Sequence, residues 1–471
     1  MKKAFVTTSI PYVNGKPHIG HALELVQSDT LVRAFGAAGY DTYFLTGTDE
    51  NAQKNVESAE KAGVPTQQLV DENSKRFQDL AEPLKLSFNQ FIRTTSKKHI
   101  KGAQAFWKKC EKDIYKKTYT GLYCVGCEAF YKDGEFPENV CPNHNRKLEE
   151  VSEENYFFAL SRYQEEILDI VANNKIEIAP ESRRNEIINF IKKGLEDFSI
   201  SRPAARMKNW GIPVPGDENQ RMYVWFDALT NYITALDFDT QGDLYRKFWS
   251  DNDLKIHIIG KDIIKFHAIY WVGMLMSADI PLPDKEFVHG FISVKGQKMS
   301  KTLGNVIDPF EMVKIYGTDA VRYYLLREIP SLSDGDFSEE RMKQLYDSDL
   351  ANELGNLLSR LTTIAAQDNL ILEDTDKRID TKLSELLINF RFHEVLEKMW
   401  EQIRAINKDI NVKEPWKLVA EDRREMLRGW LNTLNDISIN LAPLLPETAK
   451  KIQVATTGKI EKIQPLFPRI T

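Results

Sequence analysis

Two histidines, His18 and His21, lie three residues apart in the segment Pro17-His18-Ile19-Gly20-His21. A turn-rich loop ends here and helical spacing begins, so both imidazoles are expected on one face at a helix N-terminus. That end of a helix offers unpaired N–H groups and partial positive charge, which attract phosphate. Gly20 would let an adenine ring approach the backbone. The segment predicts a nucleotide phosphate site, although two structural histidines would give the same pattern.

A lysine-rich segment lies far downstream: Lys295-Gly296-Gln297-Lys298-Met299-Ser300-Lys301. Its glycine favours a mobile loop. Ammonium groups on such a loop can neutralise the charge that develops on departing pyrophosphate. A solvated lysine run is the alternative for this segment taken alone.

Two carboxylates are expected just beyond buried strands. Asp49 follows the β-prone run at residues 42–45, and Asp262 follows Ile256-His257-Ile258-Ile259-Gly260-Lys261. Ligands of doubly wound sheets bind beyond the carboxyl ends of the strands, where acidic residues accept hydrogen bonds from ribose hydroxyls. We therefore expect His18, Asp49 and Asp262 to lie around one nucleotide.

Three of the four cysteines are closely spaced and are followed by a histidine. Cys124 and Cys127 form C-x2-C, and after a 13-residue gap Cys141 and His144 form C-x2-H. Three thiolates and one imidazole close the coordination sphere of a structural zinc ion. The pattern predicts one Zn2+ per chain, against the alternative of a chance cluster. Cys110 lies outside it and is expected to be a buried helical thiol.

The elements that position these residues begin with a strand at residues 4–8, a helix over 19–38 and a second strand at 42–45. Two strands joined by a helix should be parallel with a right-handed crossover. A turn-rich insert with helices interrupts this α/β alternation from about residue 116 to 201. The alternation resumes at 223–226 and 256–259. From about residue 345 the pattern is helical only, with Leu350, Leu354, Leu357, Leu358 and Leu361 on one face.

The composition is that of an ordinary soluble protein, with 471 residues, 42% hydrophobic, 28% charged and a formal net charge of −6. The negative total disfavours a protein that coats nucleic acid unspecifically, but local basic patches could still bind RNA. There is no secretory leader pattern at the start and no apolar run of about 18 residues. We therefore expect a cytoplasmic protein without a membrane partner.

Together, the two distant motifs resemble the "HIGH" and "KMSKS" sequences of class I aminoacyl-tRNA synthetases, with Thr302 in place of the final serine. The resemblance implies catalytic and ATP-binding roles. The catalytic set is His18, His21, Lys298, Ser300 and Lys301, and the ATP-binding set is Asn14, Gly20, Gly260, Asp262, Lys295 and Met299.

Within that class the chain resembles the methionyl-tRNA synthetases over nearly its whole length. Matching segments are residues 9–15, 44–50, 223–229, 258–263 and 266–267, although Asn51-Ala52 stands where many members carry His-Gly. The implied methionine-binding residues are Ser9, Ile10, Tyr12, Asp49, Trp225, Ala228, Tyr232, Ile263, Phe266 and His267. Asp49 would pair with the ammonium group, and aromatic edges suit a thioether. A hydroxyl or imidazole N–H directed at sulfur would help to reject isosteric hydrocarbons. Taken singly, several of these would be plain core residues.

The resemblance extends to the C-terminal helices, where Asn356, Arg360 and Trp416 correspond to anticodon-binding positions. An amide and a guanidinium suit base edges, and an indole suits stacking. Basic residues Arg183, Arg184, Lys192 and Lys193 either touch the tRNA backbone or form a solvated face. The sequence ends soon after the helical region, from which we expect a monomer.

The expected architecture is a doubly wound Rossmann-like parallel sheet split by a zinc-bearing insert and followed by an all-α anticodon-binding bundle. The segments are the first catalytic half (1–115), the connective insert (116–201), the second catalytic half (202–290), the KMSKS and stem-contact region (291–344) and the helical domain (345–471). The implied reaction joins methionine to tRNA(Met) with Mg2+-bound ATP, through methionyl-adenylate. The alternatives are another class I synthetase, such as a cysteinyl enzyme, and a non-catalytic tRNA-binding paralogue.

Overall fold

The structure is a computed structural model, and it describes residues 1–124, 129–131, 134–143, 145–252, 254–299, 304–373 and 378–470. Its central feature is a sheet of six parallel strands. In spatial order they are Gln90–Arg93, Asp41–Thr48, Lys3–Thr8, Lys255–Gly260, Lys285–His289 and Glu177–Ala179. The chain runs outward in both directions from Lys3–Thr8 and Lys255–Gly260, so the strand order reverses between these two. A doubly wound sheet binds ligands at such a reversal.

Helices cover both faces of the sheet, and alternate residues of each strand point to opposite faces. Val6 and Phe44 pack on one face against helix Ile19–Ala37 and the C-terminal helices. Phe5 and Leu45 pack on the other face against helix Lys97–Lys109. The predicted parallel strand–helix–strand opening is therefore confirmed, with the helix bounds within one residue of those expected.

The region from residue 114 to 222 consists mainly of small antiparallel sheets. The largest has the order Phe198–Ser199, Glu149–Phe158, Ile114–Cys124 and Ala129–Tyr131; the others are Ser201–Pro203, Asp217–Met222 and Pro213–Val214, and Val140–Cys141 with Arg146–Lys147. Helices Gln164–Ala172 and Glu181–Ile191 follow the long strands. Glu177–Ala179, which lies in the stretch expected to be insert, instead forms the edge of the central sheet beside Lys285–His289.

Strand Ile292–Val294 pairs with Gln297–Lys298 in a hairpin and with Gly335–Phe337 on its other side. Lys295 and Gly296, with φ of 54° and 70°, form the turn. Two positive φ angles are the geometry of a tight hairpin turn whose twist matches its strands. The part of the lysine-rich segment before Met299 is thus a hairpin rather than a loop.

The C-terminal part is dominated by helices. They are Pro309–Tyr316, Thr318–Arg327, Glu339–Leu345 continued by the π-helical Tyr346–Gly355 and by Asn356–Gln367, Thr381–Ile388, Phe392–Lys413, Ala420–Leu441 and Pro446–Ala455. The five leucines from Leu350 to Leu361 are all buried, which confirms their common face. The expectation of helices alone was wrong in one detail, because Ile371–Leu372 and Gly458–Lys459 form a two-stranded sheet.

The remaining helices are short. They are Gln53–Ala62, Thr66–Gln78, Ala81–Leu84, Val224–Leu229, Asn231–Thr234, Asp243–Tyr245 and Val272–Ser277, the π-helical Arg246–Ser250 and Phe266–Trp271, and the 3-10 turns Glu111–Asp113, Pro137–Asn139, Leu160–Tyr163, Phe238–Thr240 and Pro415–Lys417. The α/β alternation resumes at 223–226 as expected, in the form of helix Val224–Leu229 directly after strand Asp217–Met222. The rings of Tyr223 and Phe226 are buried in the core. Within the described residues, no helix combines the length and apolarity needed to cross a bilayer.

Candidate active site

A cleft of about 700 Å³ opens at the carboxyl ends of strands Lys3–Thr8 and Lys255–Gly260, where the strand order reverses. Most of the residues predicted to bind ligands line it. They are Ser9, Ile10, Tyr12, His18, Gly20, His21, Asp49, Trp225, Ala228, Tyr232, Gly260, Asp262, Ile263, Phe266, His267, Lys298 and Met299. Asn14 and Lys295 do not line the cleft: Asn14 is exposed, and Lys295 lies at the hairpin turn. Ser300 and Lys301 fall outside the described residues.

The two distant motifs meet in this cleft. The methyl carbon of Met299 lies 3.7 Å from the position that a Cβ would take at Gly20. The same position is 3.0 Å from the His18 ring, so any side chain there would push the imidazole aside. The absence of a side chain at Gly20 thus leaves room for the His18 ring, and the methyl group of Met299 packs at van der Waals distance from the same position.

His18 and His21 hold each other in place. His18 is the N-cap of helix Ile19–Ala37, so the two rings do not share a helical face as expected, but they stack with centroids 3.8 Å apart. His18 Nδ1 accepts from the Gly20 N–H at 3.2 Å, and His21 Nδ1 accepts from the His18 N–H at 3.1 Å. Because Nδ1 is an acceptor in both rings, a neutral imidazole carries its proton on Nε2.

Burial keeps both rings neutral. It lowers the pKa of His18 to about 4, and it lowers the pKa of His21 well below 6.5 with help from the charges of His18 and His289. Each Nε2–H is then a fixed donor at neutral pH. Two such donors at a helix N-terminus can bind phosphate oxygens.

Asp49 stands directly after strand Asp41–Thr48 and forms a bridge with Tyr12 from the neighbouring loop. Its N–H donates to Pro11 O at 2.9 Å, and its carboxylate accepts from the Asn51 N–H at 3.1 Å. The Asp49 side chain is buried but lines the cleft. A buried carboxylate in this position can pair with an ammonium group of a ligand.

Aromatic rings form the other side of the cleft. Trp225 and Phe266 stack face to face with centroids 3.8 Å apart, and Tyr12 meets Trp225 edge-on at 6.5 Å. Behind them the Tyr232 hydroxyl lies 2.7 Å from His267 Nε2. This half of the cleft is therefore apolar, with one buried polar pair.

The direction of the hydrogen bond between Tyr232 and His267 follows from the other contact of the His267 ring. His267 Nδ1 lies 3.0 Å from the Ile263 carbonyl oxygen, which can only accept, so we assign the proton to Nδ1. Burial lowers the pKa of His267 to about 4, so Nε2 accepts the proton of the Tyr232 hydroxyl. The donors expected to face a sulfur atom are thus both engaged within the protein.

The sequence of this chain matches a known enzyme family. The family described as "tRNA synthetases class I (M)" matches residues 4–152 and 145–362. The methionine–tRNA ligase of Brucella suis biovar 1 is 42% identical over 477 residues, which cover 96% of this chain and 91% of that protein.

Solved structures align with this chain over its full length. Mycobacterium tuberculosis methionyl-tRNA synthetase in complex with methionyl-adenylate aligns with a TM-score of 0.91 and 36% identity, covering 100% of both chains. Its free form aligns with a TM-score of 0.85 and 34% identity, covering 100% of this chain and 99% of that one. This chain belongs to the class I methionyl-tRNA synthetases. Its conformation is more similar to the adenylate complex than to the free form.

Two residues in the cleft had no part in the sequence-based predictions. Glu24, one turn beyond His21, accepts from Ser9 Oγ at 2.7 Å and pairs with His289 Nε2 at 2.9 Å. His289 Nδ1 also donates to the Gly290 carbonyl at 2.8 Å, so both ring nitrogens are donors. Burial alone would lower the pKa of His289, but the hydrogen bond and charge of Glu24 raise it above 6.5.

A sequence signal for this pair existed. His289 is the last residue of a buried strand, much as Asp49 directly follows one, and Glu24 is a carboxylate on a helix that is otherwise largely buried. Polar residues in such positions need partners.

The predicted zinc ligands are placed only in part. Cys124 ends strand Ile114–Cys124, Cys141 ends Val140–Cys141, and both thiols lie in one small buried cluster with Leu148. Cys127 and His144 fall outside the described residues, and within the described ranges no three potential ligands come together. Tyr131 and Asn143 from the same region line the cleft, so the knuckle region borders the site. Cys110 is fully buried, as expected.

Of the predicted anticodon residues, Asn356 and Arg360 lie on helix Asn356–Gln367 and Trp416 lies on the 3-10 turn Pro415–Lys417, all far along the chain from the cleft residues. The Arg360 guanidinium stands 5.7 Å from the centre of the Trp416 ring and donates to Asn411 Oδ1 at 3.2 Å. Trp416 is 49% exposed, and Asn356 is exposed one turn before Arg360. A solvent-facing indole beside a guanidinium is a surface on which an unpaired base can stack.

Proposed function

We propose that this protein joins methionine to tRNA(Met) in two steps. The methionine carboxylate first attacks the α-phosphorus of Mg-ATP, which forms methionyl-adenylate and releases pyrophosphate. A terminal ribose hydroxyl of the tRNA then attacks the carbonyl carbon and displaces AMP. The observation that carries the proposal is that the two motifs meet at Gly20 and Met299 beside an aromatic pocket.

On the phosphate side, His18 and His21 donate through Nε2 to phosphate oxygens, and Lys298 contributes positive charge from the hairpin. Ser300 and Lys301 continue the same motif and are assigned to the pyrophosphate. These groups stabilise charge that grows in the transition state, and no side chain forms a covalent intermediate. Gly260 and Asp262 receive the ribose, because Asp262 is exposed to the cleft beyond its strand.

On the methionine side, Asp49 pairs with the α-ammonium group. The thioether lies among Tyr12, Trp225 and Tyr232, whose edges attract sulfur by roughly 0.3–1.5 kcal/mol each. Because the Tyr232 hydroxyl and His267 bind each other, a sulfur-directed donor appears only if the ligand displaces that bond. Specificity for methionine then depends on the Tyr232 hydroxyl donating to the sulfur atom of the ligand instead of to His267 Nε2.

The knuckle residues Cys124, Cys127, Cys141 and His144 would hold one structural zinc ion. The donor set suits zinc, and both described thiols are withdrawn from solvent. Among the described residues, the cluster around them adds only Leu148 and the partly buried Leu122, Tyr131 and Phe136, a small apolar core for holding two short hairpins together. When bound, the ion would crosslink these hairpins beside the cleft.

For the tRNA, we assign Asn356, Arg360 and Trp416 to the anticodon, with Trp416 stacking on a base. Residues 345–471 would then be the anticodon-binding domain, and 116–201 the insert that borders the acceptor end. The monomeric state stays a prediction that light scattering would check.

Methionine-dependent exchange of labelled pyrophosphate into ATP tests the first step, and charging of tRNA(Met) tests the second. We expect exchange with methionine and no exchange with cysteine or without amino acid. Exchange with cysteine alone would overturn the substrate assignment. No exchange with any amino acid, together with tRNA binding, would support the non-catalytic alternative.

A further inference from the structure

Lys265 lies in the cleft wall, and the sequence-based predictions did not use it. It follows Asp262 by three residues and lies just before the π-helical turn Phe266–Trp271. Its ammonium group stands 5.0, 5.9 and 5.7 Å from the ring centres of Phe190, Phe266 and Tyr270. Aromatic faces attract a cation at these distances and hold it in one position.

No ion pair or hydrogen bond joins Lys265 Nζ to another residue in the part of the chain that the structure describes. Its surroundings lower the pKa of Lys265 through burial, against the weaker opposing charge of Glu135. A partly buried cation that makes no direct ion pair with the described residues is costly to hold in place. The position therefore suits an anionic ligand.

An anion bound by Lys265 would be different from the ligands already assigned to the cleft. His18 and Lys298 serve the triphosphate, and Asp49 and Tyr232 serve the amino acid. Lys265 instead contacts Phe190 of helix Glu181–Ile191, which carries Arg183 and Arg184 and is followed by Lys192 and Lys193. Both arginines pair with glutamates of the same helix, whereas Lys192 and Lys193 are exposed just after its end. The positive charge of these two lysines is available to an anionic ligand that also reaches Lys265.

We propose that Lys265 binds a phosphodiester of the 3′-terminal nucleotides of tRNA and so positions the terminal ribose for transfer; this inference rests on the proposed function. Phe190, which is 39% exposed, offers a ring beside that phosphate on which a terminal base can stack. Lys265 is a positioning residue for the second step. ATP and methionine do not need it, so its loss should affect transfer more than adenylate formation.

The test compares the two steps in Lys265→Met, which keeps the stem, and Lys265→Arg, which keeps the charge. Loss of one charge-assisted contact should lower single-turnover transfer from preformed adenylate about tenfold. Pyrophosphate exchange should fall much less, and the arginine variant should recover most of the transfer rate. Lys247→Met is the matched control, because Lys247 also lies 4.7 Å from a ring centre, that of Phe248, but does not line the cleft.

A tRNA whose last phosphodiester is replaced by a neutral methylphosphonate identifies the partner without relying on the stability of a variant. The wild type should transfer to it about tenfold more slowly than to normal tRNA, while Lys265→Met should hardly distinguish the two. Equal sensitivity of both proteins to the neutral linkage would overturn the inference. So would equal losses of exchange and transfer in Lys265→Met. Absence of methionine-dependent exchange in the wild type would instead count against the proposed function.

Discussion

Arg322 and Asp29 form an ion pair of 2.7 Å in which neither side chain is exposed to solvent. Asp29 lies on helix Ile19–Ala37, which begins at the paired histidines, and Arg322 lies on helix Thr318–Arg327. The guanidinium also donates to the carbonyl oxygens of Leu444, Pro443 and Leu84. One cation thus links the histidine-bearing helix to the C-terminal helices.

Arg322→Met should destabilise the protein strongly, because it leaves Asp29 buried with less compensation. We expect a loss of about 3–5 kcal/mol in the free energy of unfolding, measured by urea denaturation. Arg33 is the second, more exposed cation that pairs with Asp29, at 2.7 Å. Arg33→Met should therefore lower the free energy of unfolding by only about 1 kcal/mol or less. Equal losses in the two variants would contradict the central role of Arg322.

Replacement of the histidine donors should lower the turnover of pyrophosphate exchange. We expect His21→Ala to reduce kcat by about 10²-fold with little change in the KM for ATP, because the donor acts on charge formed in the transition state. His18→Asn keeps an N-cap residue, so it separates the loss of phosphate binding from the loss of helix capping. A large rise in KM with unchanged kcat would assign these residues to ground-state binding instead.

The pKa of His289 makes its contribution to stability depend on pH. Its folded-state pKa lies above 6.5, so the contribution is fully present below pH 6.5 and is lost as the pH rises through the folded-state pKa. His289→Gln should therefore lower the free energy of unfolding more at pH 6 than at pH 9. Denaturation at both pH values measures this difference, with the half-exposed His393→Gln as the control. A pH-independent loss would mean that the Glu24–His289 pair contributes packing rather than charge.

Zinc analysis of the purified protein should give about one ion per chain, from the four-ligand set. Cys141→Ser should lose the ion and lower the melting temperature, since metal binding contributes to folding of such knuckles. Cys110→Ala removes a buried thiol outside the knuckle and should keep the zinc content unchanged. A metal-free wild type that folds and charges tRNA normally would refute the zinc assignment.

Trp416→Ala should impair charging of tRNA(Met) much more than it impairs exchange. Stacking of one base on an aromatic side chain contributes about 1–3 kcal/mol, which corresponds to a rise of roughly ten- to a hundredfold in the KM for tRNA. Trp416→Phe should keep most of the affinity. The exposed Val412→Ala, which lies nearby in sequence, serves as the control, since it removes apolar surface without removing a ring. Equal effects of Trp416→Ala on exchange and charging would argue against an anticodon role.

The part of the site that the sequence predicted depends on local patterns. The positions of His18, Asp49 and Asp262 follow from strand periodicity and the rule that ligands bind at the carboxyl ends of parallel strands. The aromatic residues were identified only through the family resemblance, because Trp225 or Tyr232 alone is indistinguishable from a core residue. Their helix, Val224–Leu229, also begins within a run that favours strand locally.

The features that the sequence did not predict come from contacts distant in the chain. Glu24 and His289 are 265 residues apart, and no local pattern links them. The edge strand Glu177–Ala179 has three residues, too few for periodicity to distinguish it from a loop. The role proposed for Lys265 depends on its contacts with the rings of Phe190 and Tyr270. Phe190 lies on helix Glu181–Ile191, in a distant part of the chain.

The pairing of Lys3–Thr8 with Lys255–Gly260 has a consequence for how the protein is made. Thr7 and His257, which bond across these strands, are 250 residues apart, so the first strand leaves the ribosome long before its second neighbour. At roughly 5–20 residues per second, the wait is about 10–50 s. During that time one edge of this strand, five of whose six residues are buried in the folded protein, is open to pairing with other chains. Nascent chains halted before residue 255 should therefore recruit chaperones, and chains halted after residue 290 should release them.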